Sequence, residues 1–316
     1  MDSPQSRRSF VKGSLLASAT LALGSTAGTP SSQAATPPAP GPAGALPKGR
    51  LGSLDISRLL LGGNLLTHYA HSRDLRYVYT LTRHYNTRDK IFETMALAEA
   101  QGINALVIHT ADGVLDLLKE YRQKRGGKIR WIICPTAAIE PGLKEFRAQI
   151  TSMVADGVDA LYMWGVRSDA LVHDGRVDLL AEAVTLARSL GVPCGVGAHN
   201  LEVITACEAK QVPADFYIKT LHHQNYPTAK LNFDSNWCPD CEAVIETMEA
   251  VKKPWIAFKT MAAGAIPPRS AFQYVLQAGA DFVLAGMFDF EIAEDVQVFK
   301  ETLAESRPKR IRPWVV

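Results

Sequence analysis

Along the chain after Arg58, short apolar runs alternate with longer amphipathic stretches. The runs have the length and composition of buried strands, and the stretches repeat their apolar positions at helical spacing. The runs predict eight strands, at 59–62, 105–109, 129–134, 160–164, 192–196, 214–219, 255–259 and 281–285. The stretches predict eight helices, at 89–101, 114–125, 143–155, 177–190, 201–210, 240–251, 269–277 and 292–303. This alternation is typical of parallel strands joined by crossover helices.

Glycines mark the ends of several predicted helices. Gly102, Gly157, Gly191 and Gly279 each follow a helical segment and lead into a strand, where glycine can adopt the left-handed backbone that closes a helix. Repetition of helix, glycine and strand is typical of a (β/α)₈ barrel. An open doubly wound sheet would favour a Gly-x-Gly-x-x-Gly turn after the first strand, and none is present. The sequence therefore predicts an α/β fold, a single-domain (β/α)₈ TIM barrel over residues 50–316.

The N-terminal segment predicts an export signal. Arg7 and Arg8 precede a weakly apolar stretch at 13–24, an arrangement that resembles a twin-arginine signal. The stretch is too short to span a membrane, and small residues around Ala34 offer a processing site. We expect a signal peptide at 1–35, a proline-rich linker at 36–49 and the twin-arginine export machinery as a partner. The mature protein would be periplasmic or otherwise exported, with no stable membrane span.

Composition narrows the class of partner. Hydrophobic residues make up 47% of the chain and charged residues 21%, which is enough apolar material for a sizeable core. The 34 basic and 32 acidic residues nearly cancel, leaving a formal charge of +2. Nucleic acids and membrane surfaces attract proteins that carry a field of one sign, so these partners are disfavoured. A small-molecule substrate is therefore the class of partner that we expect.

Two connections are too long to be simple turns, and both follow strands on the face that carries barrel active sites. The first, 63–88, is rich in tyrosine and arginine, and part of it could form a lid helix; the second is 220–239. The polar and aromatic side chains near the predicted mouth that we expect to bind substrate are Asn64, His68, Tyr69, Trp164, Asn200 and Tyr226.

All eight histidines fall at predicted strand ends or in the loops that follow, at positions 68, 71, 84, 109, 173, 199, 222 and 223. His109, His199 and either His222 or His223 are the candidates for acid–base catalysis, because barrel closure would bring them together. With Asp289 or Glu291, three imidazoles could instead hold a divalent ion such as Zn²⁺ or Mn²⁺, although no short His spacing supports this. The histidines that we expect only to cap or hydrogen-bond are His71, His84 and His173.

Two lysines, Lys219 and Lys259, occupy matching positions at the ends of the sixth and seventh predicted strands. A desolvated lysine loses its proton more easily, as Schiff-base chemistry requires. The short strings around them resemble those of deoxyribose-phosphate-type aldolases. The alternatives are ion pairs with Asp281, Asp289 or Glu291, or non-covalent binding of a substrate oxygen.

Glycines after the last two strands supply part of the pattern that is typical of a phosphate-binding site in barrels. Gly264 follows the seventh strand and Gly286 the eighth, where barrels bind phosphate. Asp289 and Glu291 come next, however, and would repel an anion. We therefore expect the glycines to serve close backbone packing.

Cys238 and Cys241 form a Trp-Cys-x-x-Cys string that resembles the thioredoxin motif, but here it enters the sixth helix of a barrel. In an oxidising compartment we expect a local Cys238–Cys241 disulfide that pins the long loop. A redox pair and half of a metal site are the alternatives. The other cysteines, at 134, 194 and 207, are expected to be small buried residues.

Strings at 56–59, 102–111, 159–162 and 195–200 occur in an order that resembles the aldo/keto reductase superfamily, from Ile56 to about Leu303. The resemblance implies a barrel that reduces carbonyls with NADPH through an Asp, Tyr, Lys and His set. His109, Cys134 and Trp164 stand at the positions of the Asp, Lys and His, and the Tyr has no counterpart in 112–114. The Ser/Arg-rich segment that grips the cofactor's 2′-phosphate is also absent from 287–295.

The chain is therefore interpreted as a divergent branch that kept the barrel and changed its chemistry. The leading hypothesis is an exported enzyme that acts on a small carbonyl compound, such as a sugar derivative, by lyase or isomerase-type acid–base chemistry. Its catalytic residues would be His109, His199, Lys219, His222 and Lys259. The alternatives are an NADP(H)-dependent oxidoreductase and a non-catalytic metabolite-binding barrel. A divalent metal or NADP are the cofactors under consideration.

Overall fold

The computed structural model describes residues 45–229 and 237–316 and confirms the predicted barrel. A two-stranded hairpin, β1 (Lys48–Leu51) and β2 (Leu54–Ser57), precedes it. The barrel strands are β3 (Leu59–Gly62), β4 (Ala105–His109), β5 (Arg130–Cys134), β6 (Ala160–Met163), β7 (Cys194–Ala198), β8 (Phe216–Thr220), β9 (Trp255–Phe258) and β10 (Phe282–Ala285). All neighbouring pairs are parallel, and β10 pairs with β3 to close the ring. The predicted signal peptide and most of the linker lie outside the described residues.

The helices follow the predicted order, with two additions. They are α1 (Tyr77–Tyr85), α2 (Arg88–Ala100), α3 (Val114–Lys124), α4 (Lys144–Ala155), α5 (Gly165–His173), α6 (Val177–Arg188), α7 (Leu201–Ala209), α8 (Cys241–Ala250), α9 (Pro268–Gln277) and α10 (Ile292–Ser306), then a 3₁₀ turn at Arg307–Lys309. Helix α1 lies in the first long loop, where the sequence allowed a short lid helix. Helix α5 was not predicted, because Gly165 and Ser168 in its first turn are weaker helix formers than alanine. No helix among the described residues is long and apolar enough to cross a membrane.

The glycines that end the predicted helices have the expected backbone. Gly102, Gly157, Gly191 and Gly279 all have positive φ, between 83° and 100°. Strand β7 begins two residues later than predicted, after Pro193, which has no N–H to donate to a neighbouring strand. These turns lie at the N-terminal end of the barrel and leave its opposite end to the long loops.

The hairpin closes the N-terminal end of the barrel. Leu51 of β1 and Ile56 of β2 are fully buried and pack with residues of the barrel interior, among them Phe216 and Phe282. The interior is filled by matching large and small residues. A Cβ at Gly195 would lie 2.3 Å from the Phe216 ring, so this phenylalanine occupies the space beside the glycine. The described residues at this end of the barrel are therefore closely packed.

Carboxylate or amide oxygens link neighbouring strands at the closed end. Each of four residues that directly precede a strand accepts a backbone N–H from the strand or strand approach before it. The pairs are Asn104 with Ser57 (2.7 Å), Asp159 with Trp131 (2.8 Å), Asp215 with Cys194 (2.8 Å) and Asp281 with Trp255 (3.0 Å). These bonds satisfy backbone donors that the parallel ladder leaves open at the strand starts.

The C-terminal segment is anchored to the same end by buried arginines. Arg312, 1% exposed, donates to Asp281 at 2.7 Å and to the backbone oxygens of Val251, Lys253 and Gly279. Arg58 donates to the backbone oxygen of Asp281. Both partners of the Asp281–Arg312 pair are removed from water, and each has several hydrogen bonds that offset its desolvation.

We predict that Asp281→Ala lowers the free energy of unfolding by about 3–5 kcal/mol, because it leaves the Arg312 guanidinium buried without a counter-charge. The matched control is Asp55→Ala, which removes the exposed partner of Lys48 and should change stability by less than about 1 kcal/mol. Urea unfolding followed by circular dichroism measures both. Equal losses in the two variants would contradict the assigned role.

Candidate active site

Two adjoining cavities open at the C-terminal ends of the strands. We call the first, of about 630 Å³, the imidazole cavity; it is lined by His109, Trp164, Asp169, His199 and Asn200 among others. The second, of about 440 Å³, is the loop cavity, lined by Thr260, Gly264, Phe288, Glu291 and Asp295 among others. The two share a wall made of Asn64, His71, Tyr162, Trp237, Phe258, Lys259 and Leu284. Both volumes are in the range of small-molecule sites, about 300–1,000 Å³.

His199 is held by a carboxylate that the sequence pattern did not reveal. Asp169, on α5, accepts a hydrogen bond from Nδ1 of His199 at 2.7 Å and from the backbone N–H groups of His199 and Asn200. The Nε2 atom makes no hydrogen bond within the described part of the chain. A carboxylate on one imidazole nitrogen fixes the tautomer and orientation of the ring, which suits the other nitrogen to accept a proton.

Lys259 reaches the mouth because of an unusual backbone. Trp255 and Ala257 of β9 pack outside the barrel and Ile256 inside, so simple alternation would point residue 259 outward. Its φ of 57° turns the chain instead. The Lys259 Nζ lies 2.7 Å from Nε2 of His71 and 3.5 Å from the centre of the Trp237 ring. A non-glycine residue in this region of φ costs energy and is common at functional sites.

Lys219 does not belong to the site, and the prediction that it is catalytic is not supported. Phe216 and Ile218 point into the barrel, so Lys219 points out towards the helices. It is 1% exposed and donates to the backbone oxygen of His199 (2.7 Å) and to Oγ1 of Thr220 (2.9 Å). Burial lowers the pKa of Lys219 to about 8. Among the described residues Lys219 forms no ion pair with the three predicted carboxylates: Asp281 binds Arg312, Asp289 binds Lys90, and Glu291 accepts the backbone N–H of Phe288.

His222 is also placed outside both cavities, against prediction. It is fully buried, accepts the backbone N–H of Trp237 on Nε2 (3.0 Å) and bonds the backbone oxygen of His223 through Nδ1 (3.0 Å). Burial lowers the pKa of His222, which favours the neutral ring that this pattern needs. Tyr226, predicted to bind substrate, packs edge-on against the His222 ring and lines neither cavity. These residues hold Trp237 in place.

The remaining predicted residues divide between the site and its support. His109 lines the imidazole cavity, and burial lowers its pKa. The Tyr69 ring packs edge-on against it, with ring centres 5.4 Å apart. Asn64, Trp164 and Asn200 line the same cavity. His68 lines neither, since its Nε2 bonds the backbone oxygen of Asn86 at 2.7 Å.

Cys238 and Cys241 are free thiols in the structure, so the predicted disulfide is not formed. Sγ of Cys241 is directed to backbone oxygens, 2.8 Å from that of His222 and 3.3 Å from that of Cys238. The hydrogen bond with Cys238 lowers the pKa of Cys241 to about 7. Both thiols support the segment that carries Trp237.

Several site residues were missed by sequence reasoning. His71 was expected only to hydrogen-bond locally, but it lines both cavities and contacts Lys259. Tyr162 occupies the shared wall, and burial raises its pKa far above the usual range. Alternation along β6 could have indicated Tyr162, since it follows Ala160 by two residues on the inner face. Asp169 had no comparable signal, because the helix that carries it was not recognised.

The described residues contain no group of three or more His, Cys, Asp or Glu side chains placed to hold a metal ion. Of the histidines proposed as ligands, His222 lies outside the cavities. Asp289, proposed to complete the shell, accepts from Tyr85 (2.7 Å) and Lys90 (2.9 Å). The three-imidazole arrangement is therefore not formed.

No family model matches this chain. No curated protein matches it either. Among solved structures, it is similar to PA4992 of Pseudomonas aeruginosa, described as an aldo-keto reductase, with 18% identity and a TM-score of 0.55 over 81% of this chain and 96% of that one.

Two further similar structures are Gox0644 in complex with NADPH (12% identity, TM-score 0.54, 86% and 98% coverage) and the aldo-keto reductase AKR11C1 from Bacillus halodurans (12%, 0.51, 85% and 98%). The fold is thus that of aldo-keto reductases, as the resemblance predicted. At these identities the likeness shows the fold alone.

The loop cavity does not fit NADP(H), the cofactor that the resemblance implies. Its polar lining beyond the shared wall includes Thr260, Glu291 and Asp295, and residues 287–295 contain no lysine or arginine. Burial raises the pKa of Asp295 to about 7, with a further contribution from the charge of Glu291. Two carboxylates in a poorly solvated pocket repel the phosphates of a dinucleotide.

We predict that the free energy of unfolding falls as pH rises through about 7 in part because of Asp295. Its carboxyl binds a proton more readily in the folded than in the unfolded chain, so its stabilising contribution is present at low pH and is lost on ionisation. Relative to Asp295→Asn, the wild type should lose about 2–3 kcal/mol between pH 5 and pH 9. Urea unfolding at each pH measures this. The exposed control Asp178→Asn should show no such trend, and a pH-independent difference for Asp295→Asn would contradict the assignment.

Proposed function

We propose that this protein is an enzyme that acts on a small, sugar-derived carbonyl compound by acid–base chemistry of the lyase or isomerase type. The observation that carries the proposal is the Asp169–His199 pair, which shares the imidazole cavity with Lys259. Both His199 and Lys259 contact the Trp237 ring. An oriented base and a cation therefore face one pocket, as removal of a proton beside a carbonyl requires.

The chemistry follows from the two groups. The Lys259 ammonium would hydrogen-bond the carbonyl oxygen and stabilise the negative charge that develops there when the neighbouring C–H bond breaks. Nε2 of His199 would take that proton, and the Asp169 carboxylate would stabilise the resulting imidazolium. The electron pair forms an enolate. In an elimination the enolate re-forms the carbonyl and breaks the bond from the β-carbon to its oxygen substituent, and His199 gives the proton to that leaving oxygen. In an isomerisation His199 gives the proton to the former carbonyl carbon, while the neighbouring hydroxyl loses its proton and the former carbonyl oxygen gains one.

Two other residues assist. His71, through Nε2, accepts a hydrogen bond from Lys259 and holds the amine towards the cavity. His109 is neutral near pH 7 because burial lowers its pKa, so it could exchange a proton with a second substrate oxygen. In the covalent variant of the same role, the neutral amine of Lys259 attacks the carbonyl carbon and the carbonyl oxygen leaves as water, which gives a Schiff base.

The competing function is an NADP(H)-dependent oxidoreductase. The shared fold, including that of Gox0644 with NADPH, supports it. The acidic lining of the loop cavity argues against it. So do the residues at the positions of the Asp, Tyr, Lys and His set, because His109, Cys134 and Trp164 stand at three of them and 112–114 holds no tyrosine to give the proton that hydride transfer needs. A binding protein without catalysis is the third possibility and predicts tight ligand binding with no turnover.

We predict that the protein exchanges the proton beside the carbonyl of an accepted keto- or aldo-sugar with solvent deuterium, followed by NMR across a sugar panel. His199→Asn should slow exchange about 10²–10⁴-fold, because the base is lost. Asp169→Asn should slow it about 10–100-fold and shift its pH profile, as expected for a positioning residue. The exposed His173→Asn should leave the rate unchanged. Exchange that survives His199→Asn would overturn the assignment.

The lysine is tested separately. Lys259→Met should slow exchange at least tenfold, since carbonyl polarisation is lost, whereas the exposed Lys210→Met should not. Borohydride added during turnover distinguishes the two roles of Lys259: a covalent adduct on this residue, seen by mass spectrometry, indicates a Schiff base. Nicotinamide that co-purifies with the native protein would favour the oxidoreductase instead.

We also propose that the protein is exported by the twin-arginine route, on the strength of Arg7 and Arg8 before the apolar stretch. Replacing both by lysine should retain the precursor inside the producing cell. Fractionation followed by N-terminal sequencing of the exported protein measures this, and processing near Ala34 is expected. Unchanged export of the double variant would refute the route.

A further inference from the structure

The loop cavity contains buried polar groups that the fold does not satisfy. Thr260 is 1% exposed, and its Oγ1 has no hydrogen-bond partner among the described residues. Asp295 is 5% exposed, and within the same residues its carboxylate takes part in no hydrogen bond or ion pair. By contrast, Glu291 accepts the backbone N–H of Phe288 at 2.8 Å. Two independent polar side chains in one cavity wall are therefore left open.

Such groups are costly. A buried donor or acceptor without a partner loses about 1–3 kcal/mol relative to a paired one, and native structures contain few of them. At the closed end of the same barrel, Asp281 has an arginine and two backbone N–H partners. Since the chain can satisfy a buried carboxylate, the open groups of the loop cavity point to a ligand that supplies the missing bonds.

The chemistry of the wall selects the ligand. A carboxylate accepts hydrogen bonds and a threonine hydroxyl donates and accepts them, so the ligand must carry hydroxyl or similar donors. The ring of Phe288 and the shared ring of Trp237 add flat apolar surface. Adjacent carboxylates exclude phosphate and carboxylate ligands. Hydroxyl groups along a ring with an apolar face describe a neutral sugar.

The loop cavity adjoins the imidazole cavity. Tyr162, Trp237 and Lys259 line both, so a ligand that places its carbonyl at Lys259 also lies beside the loop cavity. We propose that the loop cavity is a second sugar subsite, in which Thr260 and Asp295 bind the hydroxyl groups of the non-reacting ring of a neutral, disaccharide-sized substrate. The inference rests on the proposed function for the identity of the reacting ring.

The test measures binding without turnover. Isothermal titration with the reducing disaccharides cellobiose, maltose and lactose should find at least one disaccharide that binds at least tenfold more tightly than glucose. Thr260→Val and Asp295→Asn should each weaken the binding of that disaccharide about three- to tenfold, as expected for one lost hydrogen bond. The affinity for glucose should stay unchanged. The exposed controls Thr185→Val and Asp178→Asn should have no effect, and thermal unfolding of all four variants checks their folding.

The outcomes separate the two proposals. Disaccharide binding that depends on Thr260 and Asp295 but persists in His199→Asn supports the subsite even if no proton exchange is found. Equal binding of glucose and every disaccharide would overturn the subsite and leave the proposed chemistry standing. Binding of NADPH that Asp295→Asn strengthens and that displaces the disaccharide would overturn the assignment of the cavity to a neutral sugar.

Discussion

The alternation of side chains along eight closed strands is the constraint on which the site depends. A strand presents every second residue to the barrel interior. Whether the last residue of a strand faces the mouth or the surrounding helices therefore depends on its place in this alternation. In β8 the alternation places Ile218 inside the barrel and Lys219 outside it. The amine of Lys219 donates hydrogen bonds to backbone oxygens. In the sequence, however, Lys219 and Lys259 occupy equivalent positions at strand ends. Only the left-handed backbone at Lys259 breaks the rule on the neighbouring strand.

The two ends of the barrel differ in how they treat buried charge. At the closed end, Asp159, Asp215 and Asp281 each bind a backbone N–H of the preceding strand and an arginine side chain. The charge of each of these three aspartates is therefore compensated. At the open end, Asp295 and Thr260 keep unused hydrogen-bonding capacity. Compensated charges stabilise a fold, whereas uncompensated ones are retained where they interact with something else.

Trp237 joins the supporting residues to the reacting ones. Its backbone N–H is held by His222, which is in turn contacted by Cys241 and Tyr226. Its ring contacts His71, His199 and Lys259. Buried titratable side chains in and just after the second long loop therefore contact the segment that carries this indole ring. In the sequence, His222 and Tyr226 follow the end of a predicted strand closely, as catalytic and binding residues of barrels do.

The order of strands and helices, the capping glycines and the closed barrel could be predicted from the sequence, because they depend on interactions between residues near in the chain and on apolar periodicity. His109, His199 and Lys259 were recognisable as strand-end groups for the same reason. The roles of Asp169, His71 and Asp295 could not be, because each follows from a contact across the barrel or from burial within a cavity. Only the tertiary structure brings such groups together or removes them from water. The proposed chemistry of this protein depends on those contacts and on that burial.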